Sequence, residues 1–193
     1  MKTMEMTWTS RPGSALVTHN ERLANPLEPI TRELALLTKK QKKTEEDHWR
    51  VARVEFEGGL YMDDKNGPVI PGVNVLACLR DGARMTKEGK NVERFVVPAA
   101  AQFRLDYDGP RDVEGLWKKG FWLLSTVPVG KGRRVLRCRP RWNEWSARVS
   151  VMFDDNNIKP ESMAQIADNA SMLGLGERYS YRGRFDVKDV KIT

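Results

Sequence analysis

The sequence predicts an α+β fold, an antiparallel sheet with two helices. Three observations predict it: short apolar runs alternating with period two, two longer stripes at helical spacing, and turn residues between them. Met4, Met6 and Trp8 alternate with Glu5, Thr7 and Thr9, the pattern of a half-buried first strand. Residues 10–50 then read as an inserted arm. It contains Pro26 and Pro29, apolar Leu27, Ile30, Leu34 and Leu37 at helical spacing, and the run Lys39, Lys40, Lys42, Lys43. Ala52, Val54 and Phe56 alternate with Arg53, Glu55 and Glu57, and Asp63-Asp64-Lys65-Asn66-Gly67 supplies turn chemistry, so a hairpin is expected there.

The first helix is expected after Pro71-Gly72, with Val75, Leu76, Leu79, Ala83 and Thr86 as its stripe and Gly89 as its stop. Ala101, Phe103, Leu105 and Tyr107 alternate as a strand, and a helical turn is expected over 113–117. Three strands follow at 121–129, 133–139 and 147–153, paired antiparallel. Pro160 opens a second helix carrying Met163, Ile166, Ala167 and Ala170 and ending at Gly174. Phe185, Val187, Val190 and Ile192 make a closing strand. Without the arm and the extra hairpins the order is strand, helix, strands, helix, strand, the ferredoxin-like or RRM-like plan. The chain of 193 residues therefore reads as one RRM-like domain (1–193) with an arm at 10–50.

Composition narrows the function classes. No run approaches the roughly 20 apolar residues of a membrane helix, and residues 1–11 lack the apolar centre of a signal peptide, so a cytoplasmic protein without membrane association is expected. Cys78 and Cys138 belong to no C-x-x-C pair and read as small buried hydrophobes. The net charge of +7 is uneven: 131–148 holds seven basic groups against Glu144 alone. A concentrated excess of that kind attracts polyanions, which makes nucleic acid the leading partner class.

Catalytic motifs are absent. Neither Gly89-Lys90-Asn91 nor Gly130-Lys131-Gly132 completes a Walker A loop, and G-x-S-x-G and H-E-x-x-H do not occur. His48 beside Glu45, Glu46 and Asp47 reads as a solvated charged turn, since consecutive residues do not converge on one ion. Asp63-Asp64 and Asp154-Asp155 lack the calcium-loop pattern and read as turn residues. No catalytic residue, metal site or cofactor is assigned.

The basic run carries the functional expectation. On a strand Arg133, Arg137 and Arg139 share one face and Arg134 takes the other, a ladder whose spacing of about 6 to 7 Å suits successive phosphates. Arg141, Trp142, Trp145 and Arg148 follow, and aromatics among arginines suit base stacking, although the same tryptophans could be core. A second cluster joins the last helix to the last strand. Gly174 and Gly176 permit close backbone approach to a phosphate, Arg178, Arg182 and Arg184 supply charge, and Tyr179 or Tyr181 offers a stacking face.

Two stretches resemble the RAMP superfamily, RRM-like proteins forming the RNA-binding backbone of CRISPR effector complexes. Gly67-Pro68-Val69-Ile70-Pro71-Gly72-Val73-Asn74-Val75-Leu76 through Leu79-Arg80 is similar to the family's turn and following helix, with Val73-Asn74 where the family often has two serines. Gly174-Leu175-Gly176-Glu177-Arg178 through Gly183-Arg184-Phe185 is similar to its glycine-rich loop and final strand. Some members cleave RNA with an aspartate in a Gly-Ile-Asp-Asn-Pro-like stretch. The similar stretch here, Arg22-Leu23-Ala24-Asn25-Pro26, puts Ala24 at that position, so the resemblance implies a binding or filament-forming subunit and not a nuclease.

The expectation is a protein that binds single-stranded RNA (or single-stranded DNA) without sequence preference. It would act as a homo-oligomer or as a subunit of a larger ribonucleoprotein, in a CRISPR-associated defence system or a phage or mobile-element relative. Arg133, Arg134, Arg137, Arg139, Arg141, Trp142, Arg148, the 174–184 loop and Lys39, Lys40, Lys42 and Lys43 are the candidate contacts. Two alternatives stand beside it: a metal-independent endoribonuclease using His19 or His48, and a structural or protein-binding module.

Overall fold

Alternation in the first ten residues becomes a strand, β1 (Lys2–Ser10), with Met4, Met6 and Trp8 buried. The computed structural model of the chain describes residues 1–130, 132–177 and 182–193. After β1 come β2 (Leu16–Val17), a 3-10 turn (Glu21–Ala24), α1 (Pro29–Lys39) and α2 (Glu45–Gly59). The middle of the chain forms β3 (Met62–Asp63), β4 (Gly67–Pro71), α3 (Gly72–Arg84), α4 (Gly89–Phe95), β5 (Val96–Pro98) and β6 (Gln102–Arg104). Then follow α5 (Val113–Lys118), β7 (Trp122–Val129), β8 (Arg133–Trp142), β9 (Ser146–Phe153), α6 (Pro160–Leu173) and β10 (Phe185–Ile192).

The chain divides into two compact units: Met1–Leu16 with Met62–Asp108 and Asn143–Thr193, and Val17–Tyr61 with Gly109–Trp142. In the first unit the sheet order is β10-β1-β9-β5, and every pair is antiparallel. β1 and β5 therefore run parallel with β9 between them, while β9 and β10 run parallel with β1 between them. With α3 in the first crossover and α6 in the second, this is the ferredoxin-like βαββαβ plan. The fold is α+β, as the element order predicts.

The core of this unit lies between the inner sheet face and the two helices. Trp8 and Phe185 stack with ring centroids 4.3 Å apart, and Ala147, Val149, Val151 and Phe153 of β9 alternate inward. α3 and α6 cross closely at Gly82, where a Cβ would meet the Ala170 nitrogen at 2.5 Å and the Ile166 oxygen at 2.6 Å. Gly89 does not stop the first helix: α3 ends at Arg84, the left-handed turn falls on Lys87 (φ 65°), and Gly89 opens α4. The hairpin turn at 63–67 is formed, held by the Asp63 carboxylate, which accepts from the backbone N–H of Lys65 and Asn66.

The second unit holds the largest departure from the expected elements. Residues 52–57 are helical, inside α2, and not a strand. Thr44 and Asp47 form a reciprocal capping box at its start, and the Asp47 carboxyl is held well below the ordinary range by hydrogen bonds from Lys40 and the Thr44 backbone. Ala52, Val54, Glu55, Phe56, Gly58 and Gly59 are all buried, because α2 packs against α1 on one side and β8 on another. So broad an apolar arc conceals the 3.6-residue period and leaves a run that alternates by coincidence. The Arg22 guanidinium donates to the carbonyls of Glu57 and Gly58, closing the C-terminal end of α2. α1 lies on this helix with Ile30, Leu34 and Leu37 half-buried, while Leu27 is exposed. Of the arm read at 10–50, residues 10–16 belong to the first unit and 17–50 to the second, together with 51–61 and 109–142.

Candidate nucleic-acid interface

Antiparallel pairing of β7 with β8 fixes which arginines share a face. Leu123, Ser125, Val127 and Val129 oppose Arg139, Arg137, Val135 and Arg133, so the predicted row on one face is formed, and Arg141 extends it. Arg134 stands on the other face and donates to the Thr126 hydroxyl and carbonyl. Cys138, Pro140 and Trp142 of that second face are buried.

The row is not uniformly available. Glu55, buried in α2, accepts from Arg137 Nη1 at 2.7 Å and from the backbone N–H of Cys138 at 2.8 Å. Burial pushes the Glu55 carboxyl above its usual range against those two bonds, and the positive charge of Arg139 also acts on it. Cys138, beside this carboxylate, is pushed up to about 12 by burial and by the charge of Glu55. Arg137 is thus a structural partner of Glu55, which sets it apart from the other arginines of the row. Arg133 and Arg141 have no ion-pair partner among the described residues.

The tryptophan assignment is corrected outright. Trp142 is 1% exposed and Trp145 3%, with Trp145 set edge-on to Phe185 at 6.1 Å, so both indoles are core and neither can stack on a base. The glycine-rich segment also differs from expectation where it is described. Gly183 (φ +73°) lies so close to Leu175 that a Cβ would sit 1.8 Å from the Leu175 oxygen, and Leu175 donates to the Gly183 carbonyl at 2.8 Å. At Gly174 a Cβ would meet the Arg182 oxygen at 2.7 Å. These glycines let the segment after α6 and the segment before β10 touch each other, which explains them without a phosphate. Gly176 takes a positive φ of 73°, Arg182 lies 3.4 Å from Glu177, and the Arg184 backbone N–H donates to Ser14. Arg178 and Tyr179 lie outside the described residues.

The lysine run sits between α1 and α2. Lys40 pairs with Asp47, Lys43 donates to the Thr38 and Lys40 carbonyls, and Lys39 and Lys42 have no ion-pair partner among the described residues. The two histidines of the endoribonuclease alternative lie apart, so either would act alone. His48 is in the first turn of α2, whereas the His19 carbonyl accepts from Tyr61, just past the helix end. About twelve residues of helix, roughly 18 Å, separate the two positions, so the two imidazoles do not work as one acid–base pair. Among the described residues no group of three or more His, Cys, Asp or Glu side chains could hold a metal ion, and no helix is long and apolar enough to cross a membrane.

A surface missed in the sequence is the outer face of the ferredoxin-like sheet. Thr7 is paired with Lys188 on one side and Arg148 on the other, so the three side chains form one lateral row. The next row is Lys191, Glu5 and Ser150. Arg148, Lys188 and Lys191 are exposed and have no ion-pair partner among the described residues. No aromatic side chain lies in these rows. The signal was present in β10, whose lysines alternate irregularly because a bulge between Glu5 and Thr7 and a positive φ at Asp189 reset the register.

No protein-family description and no curated protein matches the sequence. Among solved structures, the chain is similar to one in the cryo-EM structure of the Type III-B Cmr-beta bound to cognate target RNA, with a TM-score of 0.48 and 12% identity. The match covers 99% of this chain and 60% of that one, so this chain spans about three-fifths of its neighbour's length.

Proposed function

We propose that this protein binds single-stranded RNA through its phosphates, largely without regard to sequence, as a subunit of a ribonucleoprotein or homo-oligomer related to the RAMP proteins it resembles. One observation carries the reading: the row Lys188–Thr7–Arg148, with Lys191 beside it, on the outer face of a βαββαβ sheet. A four-stranded sheet of this plan is a platform RNA-binding modules use, and its usual means of reading bases is exposed aromatics. Here the rows offer cations and hydroxyls instead, which suits backbone contact. Arg133 and Arg141 of β8, Lys39 and Lys42 are the further candidate phosphate contacts.

Binding of a labelled single-stranded RNA, measured by fluorescence anisotropy over a salt series, tests the reading. With about four to six phosphates neutralised, log affinity falls against log salt with a slope of roughly −3 to −4. Absence of binding, or affinity indifferent to salt, overturns it. Replacing the RNA by DNA of the same sequence measures the preference between the two.

A further inference from the structure

α2 places Trp49, Arg53 and Phe56 on one stripe, since positions i, i+4 and i+7 share a helix face. Phe56 is fully buried and packs on Trp117 of α5 at 5.3 Å. Trp117 lies 5.4 Å from Trp122 of β7 with planes 31° apart, and the Trp122 indole N–H donates to the Trp117 carbonyl at 3.1 Å. The Arg53 guanidinium lies 5.2 Å from the Trp117 ring, its charge matched by Glu57 and Glu114. Trp49 stands edge-on to both neighbours, 6.4 Å from Trp117 and 5.8 Å from Trp122, and remains 42% exposed.

An indole packed edge-on against two others and still 42% exposed presents a surface on which a planar group can stack. Its surroundings carry both signs: Glu45 and Glu46 stand four and three residues before it on the same helix face, and a lysine run precedes the helix. The Lys40–Asp47 pair ties the lysine run to the start of α2, within about one turn of Trp49, and Arg50 follows directly. Residues 39–50 carry five cations against Glu45, Glu46 and Asp47, and Lys119 lies two residues beyond Trp117. Lys39, Lys42, Arg50 and Lys119 have no ion-pair partner among the described residues.

We propose that Trp49 is a stacking platform for one unpaired nucleobase, with Arg50 and the unpaired lysines of the loop before α2 available to the flanking phosphates. The inference rests on the reading that this protein binds single-stranded RNA, and it adds a base contact in the second unit that the sheet rows of the first do not offer. Arg53 is a positioning residue that fixes Trp117 behind the platform.

The test titrates labelled oligo-rA and an abasic ribose-phosphate strand of equal length against wild-type, Trp49→Leu and Trp49→Phe proteins at one salt concentration. Trp49→Leu is expected to weaken oligo-rA binding at least about fivefold and to leave the abasic strand unchanged, with Trp49→Phe within about twofold of wild type. Unlabelled oligo-rA, but not the abasic strand, should quench wild-type tryptophan emission, and this measurement decides the matter if circular dichroism shows the Leu variant unfolded. Unchanged oligo-rA affinity in a folded Trp49→Leu protein, or equal quenching by both strands, overturns the inference while RNA binding stands, and would mark the indole as a protein contact. A wild-type protein that binds neither strand overturns both.

Discussion

The outer sheet face of the first unit and the β8 strand of the second both align cations by strand register, and they leave those cations in different states. Arg148, Lys188 and Lys191 meet hydroxyls and water across β1, with Glu5 the one carboxylate in their rows. In β8 the most central arginine, Arg137, is drawn back to Glu55, which also completes the backbone hydrogen bonding of Cys138. Density of charge along a sequence is therefore a poor measure of charge offered to a ligand. A buried carboxylate 82 residues away turns part of the densest run into scaffold.

The largest effect that sharpens this contrast is on stability. Glu55→Ala leaves Arg137 and the Cys138 N–H without their acceptor and should cost about 3 kcal/mol in chemical denaturation. Titration gives a second view of the same group. Because burial raises the folded Glu55 carboxyl above its ordinary value, the folded state holds that proton more tightly than the unfolded chain. Its contribution is therefore full below that value and is lost as pH rises through the folded pKa. Glu55→Gln should remove this decline from the stability profile, and a profile identical to wild type would break the assignment.

On the open face the effect is on binding. Arg148→Glu with Lys188→Glu should weaken RNA at least about tenfold, and replacing both by Ala should reduce the salt slope by about 1.4, as expected for two lost single-strand phosphate contacts. Smaller still, Thr44→Ala should cost about 1 kcal/mol by opening the capping box of α2, read as a lowered midpoint in urea. At the bottom of the scale, Arg137→Met should change RNA affinity by less than about twofold, since its charge is already engaged. A loss matching that of Arg148 would make Arg137 a phosphate contact beside Arg133 and Arg141.

Much of the fold was legible because its cues are local. β1 and β9 announce themselves by alternation, and α6 by Pro160 at its start and Gly174 at its end. The element order was enough to give the split βαβ plan. α2 was misread because burial on two sides removes the polar face that makes a helix recognisable, although Thr44-x-x-Asp47 is the capping signature that would have corrected it. The pairing of 17–61 with 109–142 depends on contacts between distant segments, for which periodicity carries no signal. The candidate site was half legible for the same reason. Register on β8 follows from its own residues, but the engagement of Arg137 by Glu55, the burial of Trp142 and the exposure of Trp49 are decided by partners far away in sequence.

The division of the second unit between two stretches of chain has a consequence for its synthesis. The end of α2 leaves the ribosome about 80 residues ahead of the end of β8, a delay on the order of 4 to 16 s at ~5–20 residues per second. For most of that interval the nascent helices have neither α5 nor β8 to cover them, and Glu55 stands in water until β8 follows. Early emergence thus leaves the most deeply buried helix of this unit waiting longest on its own partners, and the step that ends the wait is the arrival of the arginine strand.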